Sequence, residues 1–589
     1  MSWEAWLTIA IILLCFIAMA AYRVSPDISL MGGITILLVT GIITPAQAFV
    51  GLSNEGVITV AILYVVVAGL KETGAIAWLG QSLLGRPKTL RAAQLRLMSP
   101  VAAMSAFLNN TPVVAMFIPA VSDWAKKNQI SPSKLMIPLS YAAIAGGTCT
   151  LIGTSTNLVV NGLLIEENQT ASLGMFDLAW IGIPVTIITF IYIVTTQKWL
   201  LPERLPSSSQ FGDVRQYTVE MIVEADSPLD GKTIEQAGLR HLPGLYLIEI
   251  DREGTILPAV SPQEKIHSND RLIFAGVVDS VVDLQKIRGL KPATDQVFKL
   301  NSRREDRCLI EAVVSHNCPL AGKSIREGGF RTLYNAAVIA VARDGEQLKI
   351  KLGDIILRPG DTLLLEAHPS FAAQQRNSRD FYLVSKLQES ELPNHDKAKV
   401  SLTILLGMVI TAAFGLLPIL HAALLAAALM VIFRCTRGRT ARRSVDWQVI
   451  IVIAASFGLG SALQSTGAAE AIASSLTTLS ADNAYLALAI TFLVTALFTA
   501  FATNNTAAVL MFPISLSTAQ LLDVNFLPFA VVIMVAASAS FATPIGYQTN
   551  LMVYGPGGYH FSDYLRIGIP LTILVGLITI LLVPMVWPL

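Results

Sequence analysis

Charged residues are scarce in this chain of 589 residues. Asp, Glu, Lys and Arg make up 14% of the sequence, whereas hydrophobic residues make up 53%. Soluble domains carry about 25% charged residues, so this composition indicates a membrane protein. The 42 basic and 41 acidic side chains nearly cancel. Because there is no excess of positive charge, the charge balance does not support a nucleic-acid partner.

Cysteine pairs and catalytic motifs are also missing. The five cysteines have neither metal-site nor disulfide spacing, so they are expected to be small buried side chains. No HExxH, P-loop or nucleophile-elbow pattern occurs, which argues against an enzyme, and no organic cofactor is expected. The N-terminal apolar run has neither a basic start nor a small-residue cleavage pattern, which favours a retained helix over a signal peptide.

The sequence does contain an internal repeat. A polar group, Asn109-Asn110-Thr111, interrupts an apolar run, and the same letters return 395 positions later as Asn504-Asn505-Thr506. A glycine motif at 153–162 returns 393 positions later at 546–555. Two matched motif pairs in the same order indicate two related halves.

Apolar segments that can span a bilayer, which takes roughly 20 residues, flank these motifs. Five are expected in each half: near 5–22, 29–45, 56–71, 133–162 and 180–200, and near 399–416, 418–434, 446–463, 526–555 and 564–588. The segments 90–126 and 483–520 instead have two apolar arms of about 15 residues around a polar centre. This shape is typical of a re-entrant helical hairpin.

The basic residues alternate between loops. Lys and Arg are absent from the loops 41–55, 163–179, 415–421, 462–485 and 516–528, and they occur in the loops between these. The positive-inside rule then places both termini outside, with the first hairpin entering from the cytoplasm and the second from the exterior. An odd number of spans inverts the second half. Inverted repeats with broken helices are typical of secondary transporters.

A more charged segment separates the two halves. The chain is therefore divided into a first membrane repeat at 1–205, soluble domains at 206–300 and 301–396, and a second membrane repeat at 397–589. Motifs in the two soluble domains repeat with an offset of 91 residues. Each copy is expected to be an α+β domain with a short helix, at 233–239 or 324–330, among alternating strands. The flanking basic loops place this insert in the cytoplasm.

The hairpin tips are the candidate substrate site. Amides and hydroxyls are costly inside a bilayer, so two matching polar tips indicate a functional site. Thr111 and Thr506 can cap the returning helices, whose free N–H groups favour an anion. The predicted substrate contacts are Asn109, Asn110, Thr111, Thr154, Asn504, Asn505, Thr506 and Thr549.

The glycine motifs are the candidate cation sites. Unwound backbone there can offer carbonyl and hydroxyl oxygens to Na⁺, and one site is expected between each hairpin tip and its own glycine motif. The predicted ligands are Ser105, Asn110, Gly153 and Asn157 in the first half, and Thr503, Asn505, Gly546 and Asn550 in the second. The offset of 395 places Ala500 opposite Ser105, so the two sites are expected to differ, with Thr499 or Thr503 as a substitute.

The segment 142–157, together with the two Asn-Asn-Thr hairpins, resembles the divalent anion/sodium symporter family of the ion transporter superfamily. The resemblance covers both membrane repeats. It implies a homodimer with a scaffold and an elevator-like transport domain, substrate held by both tips, and Na⁺ where hairpins meet glycine loops. The family's usual tip is Ser-Asn-Thr, and the first Asn here argues against a dicarboxylate.

The two insert domains resemble the TrkA-C (RCK C-terminal) domain. This resemblance implies dimerisation and the sensing of a small ligand or ion, and the alternative is a rigid assembly module. An anion symporter with such an insert is similar to the sulfate-type branch of bacteria and algae.

Asp, Glu, Lys, Arg and His are absent from the hairpin tips and the glycine motifs. Proton coupling needs such a group in the membrane, so Na⁺ is the expected coupling ion. The sequence thus predicts a sodium-coupled transporter of a small divalent anion, with sulfate expected, in a bacterial inner membrane. Its expected partners are membrane lipid and a second copy of the chain. A sodium/dicarboxylate symporter, an anion exporter and a sodium/proton antiporter remain alternatives, whereas a potassium channel lacks the Thr-Val-Gly-Tyr-Gly filter.

Overall fold

The computed structural model divides into two compact units. A helical unit comprises Met1–Glu203, Leu392–Val553 and His560–Leu589, and a sheet unit comprises Arg204–Glu391 and Tyr554–Tyr559. The residues that the structure describes are 1–20, 24–75, 84–85, 87, 89–128, 130–167, 173–204, 218–225, 227–239, 245–252, 255–258, 263–276, 287–292, 308–315, 317–343, 346–348, 352–367, 371, 375, 378, 380–386 and 397–589.

Helices occupy the apolar segments of the first half. They are α1 (Trp3–Ala20), α2 (Pro26–Val39), α3 (Pro45–Phe49), α4 (Glu55–Glu72), α5 (Leu90–Ser105), α6 (Asn110–Lys127), α7 (Met136–Gly147), α8 (Ser155–Glu167) and α9 (Ala179–Thr196). Helices α5 and α6 occupy the predicted first hairpin, with a connection of four residues between them. The segment predicted as one span, 133–162, is divided at the glycine motif into α7 and α8.

The sheet unit contains two five-stranded antiparallel sheets with strand orders β3-β2-β4-β1-β5 and β10-β6-β9-β7-β8. The elements are β1 (Thr218–Val223), β2 (Leu245–Arg252), β3 (Thr255–Pro258), β4 (Arg271–Gly276), β5 (Leu290–Pro292), β6 (Cys308–Val314), α10 (Phe330–Tyr334), β7 (Ala336–Arg343), β8 (Glu346–Gln347), β9 (Thr362–Ala367) and β10 (Phe381–Lys386).

The short helices predicted in the insert are wrong in detail. Residues 234–239 form hydrogen-bonded turns, and so do residues 325–329, whereas the helix of the second domain begins only at Phe330. Gly238 and Gly329 adopt φ values of 70° and 58°. This left-handed conformation ends a right-handed helical turn, so neither segment continues as a helix where it was predicted.

Helices also occupy the apolar segments of the second half. They are α11 (Ala398–Ala413), α12 (Ile419–Ile432), α13 (Gly438–Ser444), α14 (Trp447–Ser465), α15 (Ala468–Leu479), α16 (Ala484–Phe501), α17 (Asn504–Leu521), α18 (Leu527–Ser538), α19 (Gln548–Gly557) and α20 (Phe561–Val586). Helices α16 and α17 form the second hairpin, and residues 539–547 separate α18 from α19.

The core of the helical unit is formed by helices that are apolar on every side. Every residue of α7 is buried, as is every residue from Pro528 to Ser538 of α18. Peripheral helices instead expose apolar stripes; on α20 the stripe repeats every four residues at Ile569, Ile573, Leu577 and Leu581. Within the described part of the chain, four helical segments are long and apolar enough to cross a membrane: Pro45–Glu72, Ala179–Thr196, Trp447–Ser465 and Phe561–Val586.

Candidate functional site

The tip of the first hairpin is fixed to α7. Ser105, the last residue of α5, donates a 2.8 Å hydrogen bond to the carbonyl of Ala143. Its hydroxyl also contacts the side-chain oxygen of Asn110, the first residue of α6. Both Ser105 and Asn110 are buried. The turn between the two arms is thus closed by a hydroxyl that holds the first amide of the returning helix.

The second hairpin is closed in the same way by Thr499. Its hydroxyl donates to the Asn504 side-chain oxygen at 2.8 Å and to the Ala537 carbonyl at 2.9 Å. These three residues each lie 394 positions after Ser105, Asn110 and Ala143.

The predicted equivalence of Ser105 with Ala500 is therefore wrong by one position. Because each tip contains two consecutive asparagines, the two halves can be aligned with an offset of 395 or of 394 residues. The offset of 395 matches more identical residues, and it was the one predicted. The hydrogen bonds from Ser105 to Asn110 and from Thr499 to Asn504 support the offset of 394 residues. In both hairpins a hydroxyl on the outgoing arm contacts the first residue of the returning helix. Asn110 corresponds to Asn504 and Thr111 to Asn505.

The capping residues also differ from the prediction. Helix α6 begins at Asn110 and α17 at Asn504, so Thr111 and Thr506 are already inside the helices. Thr503 caps α17 by accepting a 3.3 Å hydrogen bond from the Thr506 N–H. The Asn109 side chain makes a longer contact, 3.4 Å, with the Thr111 N–H. The free N–H groups of both helices still lie at the tips, where a helix end favours negative charge.

The glycine motifs are held open by asparagine amides. Asn157 donates to the carbonyls of Gly147 at 3.4 Å and Thr150 at 2.9 Å. Asn550 repeats this 393 residues later, donating to the carbonyls of Ser540 at 2.8 Å and Thr543 at 3.1 Å. Carbonyls at a helix break need such partners. The two predicted cation ligands therefore use their N–H groups to stabilise the breaks.

Gly153 and Gly546 allow close approach at these breaks. A Cβ on Gly153 would lie 2.5 Å from the carbonyl oxygen of Gly147. A Cβ on Gly546 would collide with the Ser540 hydroxyl and lie 3.0 Å from the carbonyl oxygen of Thr499 on the second hairpin. Both glycines are thus required by packing, and the Gly546 backbone lies beside its own hairpin.

The first hairpin tip contacts the glycine motif of the other half. The Asn110 side-chain amide donates a 2.5 Å hydrogen bond to the Tyr547 hydroxyl. Thr111 donates to the side-chain oxygen of Gln548 at 3.1 Å. Thr154, in the first glycine motif, also hydrogen-bonds the Tyr547 hydroxyl.

The second hairpin tip makes the reciprocal contact. Asn505 accepts hydrogen bonds from the hydroxyls of Ser155 at 3.1 Å and Thr156 at 3.4 Å. Each tip is thus joined by side chains to the motif of the other half, an arrangement that the sequence did not predict. Contacts with the same half are present too: Thr150 donates to the Ala106 carbonyl in the first hairpin turn.

Three further predicted substrate residues, Thr549, Thr506 and Asn109, make contacts outside the tip-to-motif pairs. Thr549 accepts a 2.9 Å hydrogen bond from Ser140, whose hydroxyl also donates to Asn550 at 2.7 Å, and both acceptors are fully buried. Thr506 accepts a 3.2 Å hydrogen bond from Ser456. Asn109 and Ser155 line a narrow cleft together with apolar residues of α4.

The sequence analysis named Thr499 only as an alternative to Thr503, and among the polar residues of this network that it missed are Ser140, Ser155, Tyr547 and Gln548. Three of them are members of the glycine motifs, so the motifs contained the signal. Thr499 is recognised as the counterpart of Ser105 only when the two halves are aligned with an offset of 394 residues instead of 395. No motif in the sequence pointed to Ser140, which is a single hydroxyl residue in the apolar helix α7.

The network carries no formal charge. Its described members are amides, hydroxyls and a phenol, and the described part of the chain has no cluster of three or more His, Cys, Asp or Glu residues that could hold a metal ion. Neutral oxygens of this kind suit a weakly bound alkali cation, and the two helix N-termini suit an anion.

A family model and several relatives of this chain are named as transporters. A family model described as "citrate transporter" matches residues 11–520 and 483–588. The chain is 37% identical over 569 residues to the putative sulfur deprivation response regulator of Chlamydomonas reinhardtii, covering 95% of this chain and 97% of the relative. It is 30% identical to the probable sodium/sulfate cotransporter 3 of the same organism, covering 97% and 87%. An uncharacterized transporter of Synechocystis is 34% identical, covering 99% and 97%.

Proposed function

The chain belongs to the citrate transporter family, and we propose that it is a sodium-coupled secondary transporter of a small divalent anion, with sulfate as the substrate. It is an integral membrane transporter and not an enzyme. The observation that carries the proposal is the reciprocal contact between hairpin tips and glycine motifs, Asn110 with Tyr547 and Asn505 with Ser155. These contacts join each hairpin tip to the glycine motif of the other half, which supports a single site between the two halves.

The anion is assigned to the tips. N–H groups at the starts of α6 and α17, with the amides of Asn110 and Asn505 and the hydroxyl of Thr111, provide hydrogen-bond donors without a fixed positive charge. Asn109 and Ser155 line the adjacent cleft. Asn504, Thr154, Thr506 and Thr549 complete the proposed substrate set, the last two through their contacts with Ser456 and Ser140.

Sodium is assigned to the two hairpin turns. The proposed ligands are Ser105, Asn110, Gly153 and Asn157 in the first half, and Thr503, Asn505, Gly546 and Asn550 in the second. Thr499, the predicted alternative to Thr503, joins the second set because its hydroxyl closes the second hairpin turn. Hydroxyl, amide and carbonyl oxygens meet at both turns, and none of the proposed ligands is Asp, Glu or His. The relative named a probable sodium/sulfate cotransporter supports this coupling ion.

Sulfate is favoured over a carboxylate by the amides at the tips and by that relative's name. A citrate or dicarboxylate substrate is the second candidate, because the family model is described as a citrate transporter. An exporter and a sodium/proton antiporter become relevant only if uptake proves independent of Na⁺.

The proposal also includes the arrangement of the membrane repeats and of the soluble insert. Contacts that recur after 393 or 394 residues support two inverted membrane repeats, at 1–205 and 397–589, that move substrate by an elevator mechanism in a homodimer. The two sheets support separate TrkA-C-like domains at 206–300 and 301–396, which bind a small regulatory ligand or assist assembly. The insert is cytoplasmic and both termini lie outside a bacterial inner membrane.

The test is uptake of labelled sulfate into proteoliposomes with and without an inward Na⁺ gradient, with succinate and citrate as competitors. Na⁺-dependent sulfate uptake that neither acid reduces is the expected result. Strong competition by either acid would move the substrate to the carboxylate class. Sulfate uptake that ignores the Na⁺ gradient would refute sodium coupling.

A further inference from the structure

A basic cavity lies where α11 begins and α12 ends, and it shares no residue with the hairpin tips or glycine motifs. Its volume is about 570 Å³, and it is lined by Lys397, Val431, Arg434, Thr436, Arg437 and Gly438. Sites for small molecules occupy about 300–1,000 Å³, so the cavity has room for a polar headgroup. The transport mechanism makes no use of it.

Arg434 lines this cavity at the turn that ends α12. Arg434 has a φ of 55°, the left-handed conformation that normally favours glycine at the end of a helix. The N–H of Cys435 returns to the carbonyl of Met430 at 2.8 Å and closes the end of α12. This turn buries Cys435 and Thr436 while Arg434 and Arg437 remain exposed.

Three cationic side chains line the cavity. In the described part of the chain, Lys397, Arg434 and Arg437 form no salt bridge with an Asp or Glu. Lys397 instead donates to the carbonyls of Phe433 at 3.0 Å and Arg434 at 3.5 Å at the end of α12. Its charge is held at the cavity wall, and the two guanidinium groups remain available to an anion.

Thr436 provides an independent sign of a ligand. It is only 2% exposed, and its hydroxyl has no hydrogen-bond partner among the described residues. A buried hydroxyl without a partner is unfavourable, so an oxygen-rich ligand in the cavity would satisfy it. Two arginines and a hydroxyl that have no side-chain partner among the described residues match the several acceptor oxygens of one phosphate group.

We propose that this cavity binds a phosphate group at the membrane surface. Arg434 and Arg437 donate to its oxygens, Thr436 donates a further hydrogen bond, and Lys397 adds charge. Ile432 and Phe433, 69% and 53% exposed, adjoin the cavity and match the acyl region of an anionic phospholipid. A soluble phosphate compound offers the same headgroup chemistry without the apolar contact.

The experiment compares purified full-length variants in detergent. Native mass spectrometry measures retention of phosphatidylglycerol against phosphatidylcholine, and thermal unfolding measures stabilisation by inorganic phosphate. The double variant Arg434→Gln/Arg437→Gln should lower phosphatidylglycerol affinity by more than about tenfold, because each lost charge-assisted hydrogen bond is worth roughly a factor of ten. Thr436→Val keeps the shape and should lower affinity by about threefold.

Arg439→Gln is the matched control, because Arg439 is exposed, lies two residues beyond Arg437 and does not line the cavity. A loss in the double variant but not in the control supports the site. If the loss concerns phosphatidylglycerol, the ligand is a lipid; if it concerns only inorganic phosphate, the ligand is soluble. Equal binding of both by the double variant, the control and the unaltered protein would overturn the proposal.

Discussion

The side chain of Asn110 donates a 2.5 Å hydrogen bond to the hydroxyl of Tyr547, 437 residues further along the chain. Asn110 opens the returning helix of the first hairpin, and Tyr547 lies in the glycine motif of the second half. The neighbouring contact of Thr111 with Gln548, at 3.1 Å, has its counterpart in the other half in the contact of Asn505 with Ser155, also at 3.1 Å. A change in the position of one hairpin therefore affects the glycine motif of the other half directly, which couples the two halves at the candidate site.

Tyr547→Phe tests this coupling. The substitution removes only the hydroxyl that Asn110 and Thr154 contact, and the ring remains. Loss of one such hydrogen bond typically corresponds to roughly a threefold to tenfold weaker interaction. We expect the KM for the anion to rise by that factor in proteoliposome uptake, with unchanged membrane insertion. Tyr485→Phe, at an exposed position, is the control and should behave like the unaltered protein. An unchanged KM in Tyr547→Phe would exclude this hydroxyl from the site.

Thr499→Val tests the corrected register. The variant loses the hydroxyl that holds Asn504 and Ala537, whereas Thr499→Ser keeps it. We expect Thr499→Val to raise the Na⁺ concentration for half-maximal uptake at least several-fold, because the lost hydroxyl is itself a proposed ligand of the second cation site. Thr499→Ser should be close to normal. Ala500→Ser, the position that letter matching had placed opposite Ser105, should leave the Na⁺ dependence unaltered; a larger effect there than at Thr499 would restore the original register.

The helices and the polar motifs could be predicted from the sequence, whereas the contacts between the two halves could not. Apolar length and periodicity placed helices in all the predicted spans, and repeated letters located the hairpins and the glycine motifs to within a residue. The pairing of Asn110 with Tyr547 could not be predicted, because it depends on how the two halves pack and no local pattern encodes that. The register error at Ala500 arose because identical neighbours, Asn504 and Asn505, left the alignment ambiguous by one position.

Gly153→Ala tests the close approach at the first helix break. The added Cβ would lie 2.5 Å from the Gly147 carbonyl oxygen, so backbone must shift, and overpacking of this kind costs about 1–3 kcal/mol. We expect a lower Tm in detergent and reduced uptake. Gly407→Ala is the control, since nothing lies within 4 Å of the added Cβ in α11 and alanine favours the helix. Equal Tm values for the two variants would contradict the proposed close packing at Gly153.

Arg343→Met tests the buried ion pair of the second sheet. Arg343 contacts Asp361 through two hydrogen bonds of 2.7 Å, and the Asp361 side chain is 1% exposed. Removing one partner of a buried pair costs about 3–5 kcal/mol. Arg326→Met is the control, because its partner Asp354 is 57% exposed and such surface pairs contribute about 0–1 kcal/mol. Hydrogen exchange in the full-length protein should show faster exchange in β7 and β9 for Arg343→Met only.

The Arg343–Asp361 pair also predicts how the effect of Arg343→Met on hydrogen exchange depends on pH. Burial raises the pKa of the Asp361 carboxyl, and Arg343 opposes that rise. A carboxyl with a raised pKa in the folded state destabilises the fold as pH increases through that pKa. Without Arg343 the pKa should rise further, so the excess exchange of Arg343→Met should be largest at neutral pH and decrease as the pH falls and Asp361 becomes protonated. An excess that grows on acidification would show that Asp361 remains stabilised as an anion without Arg343.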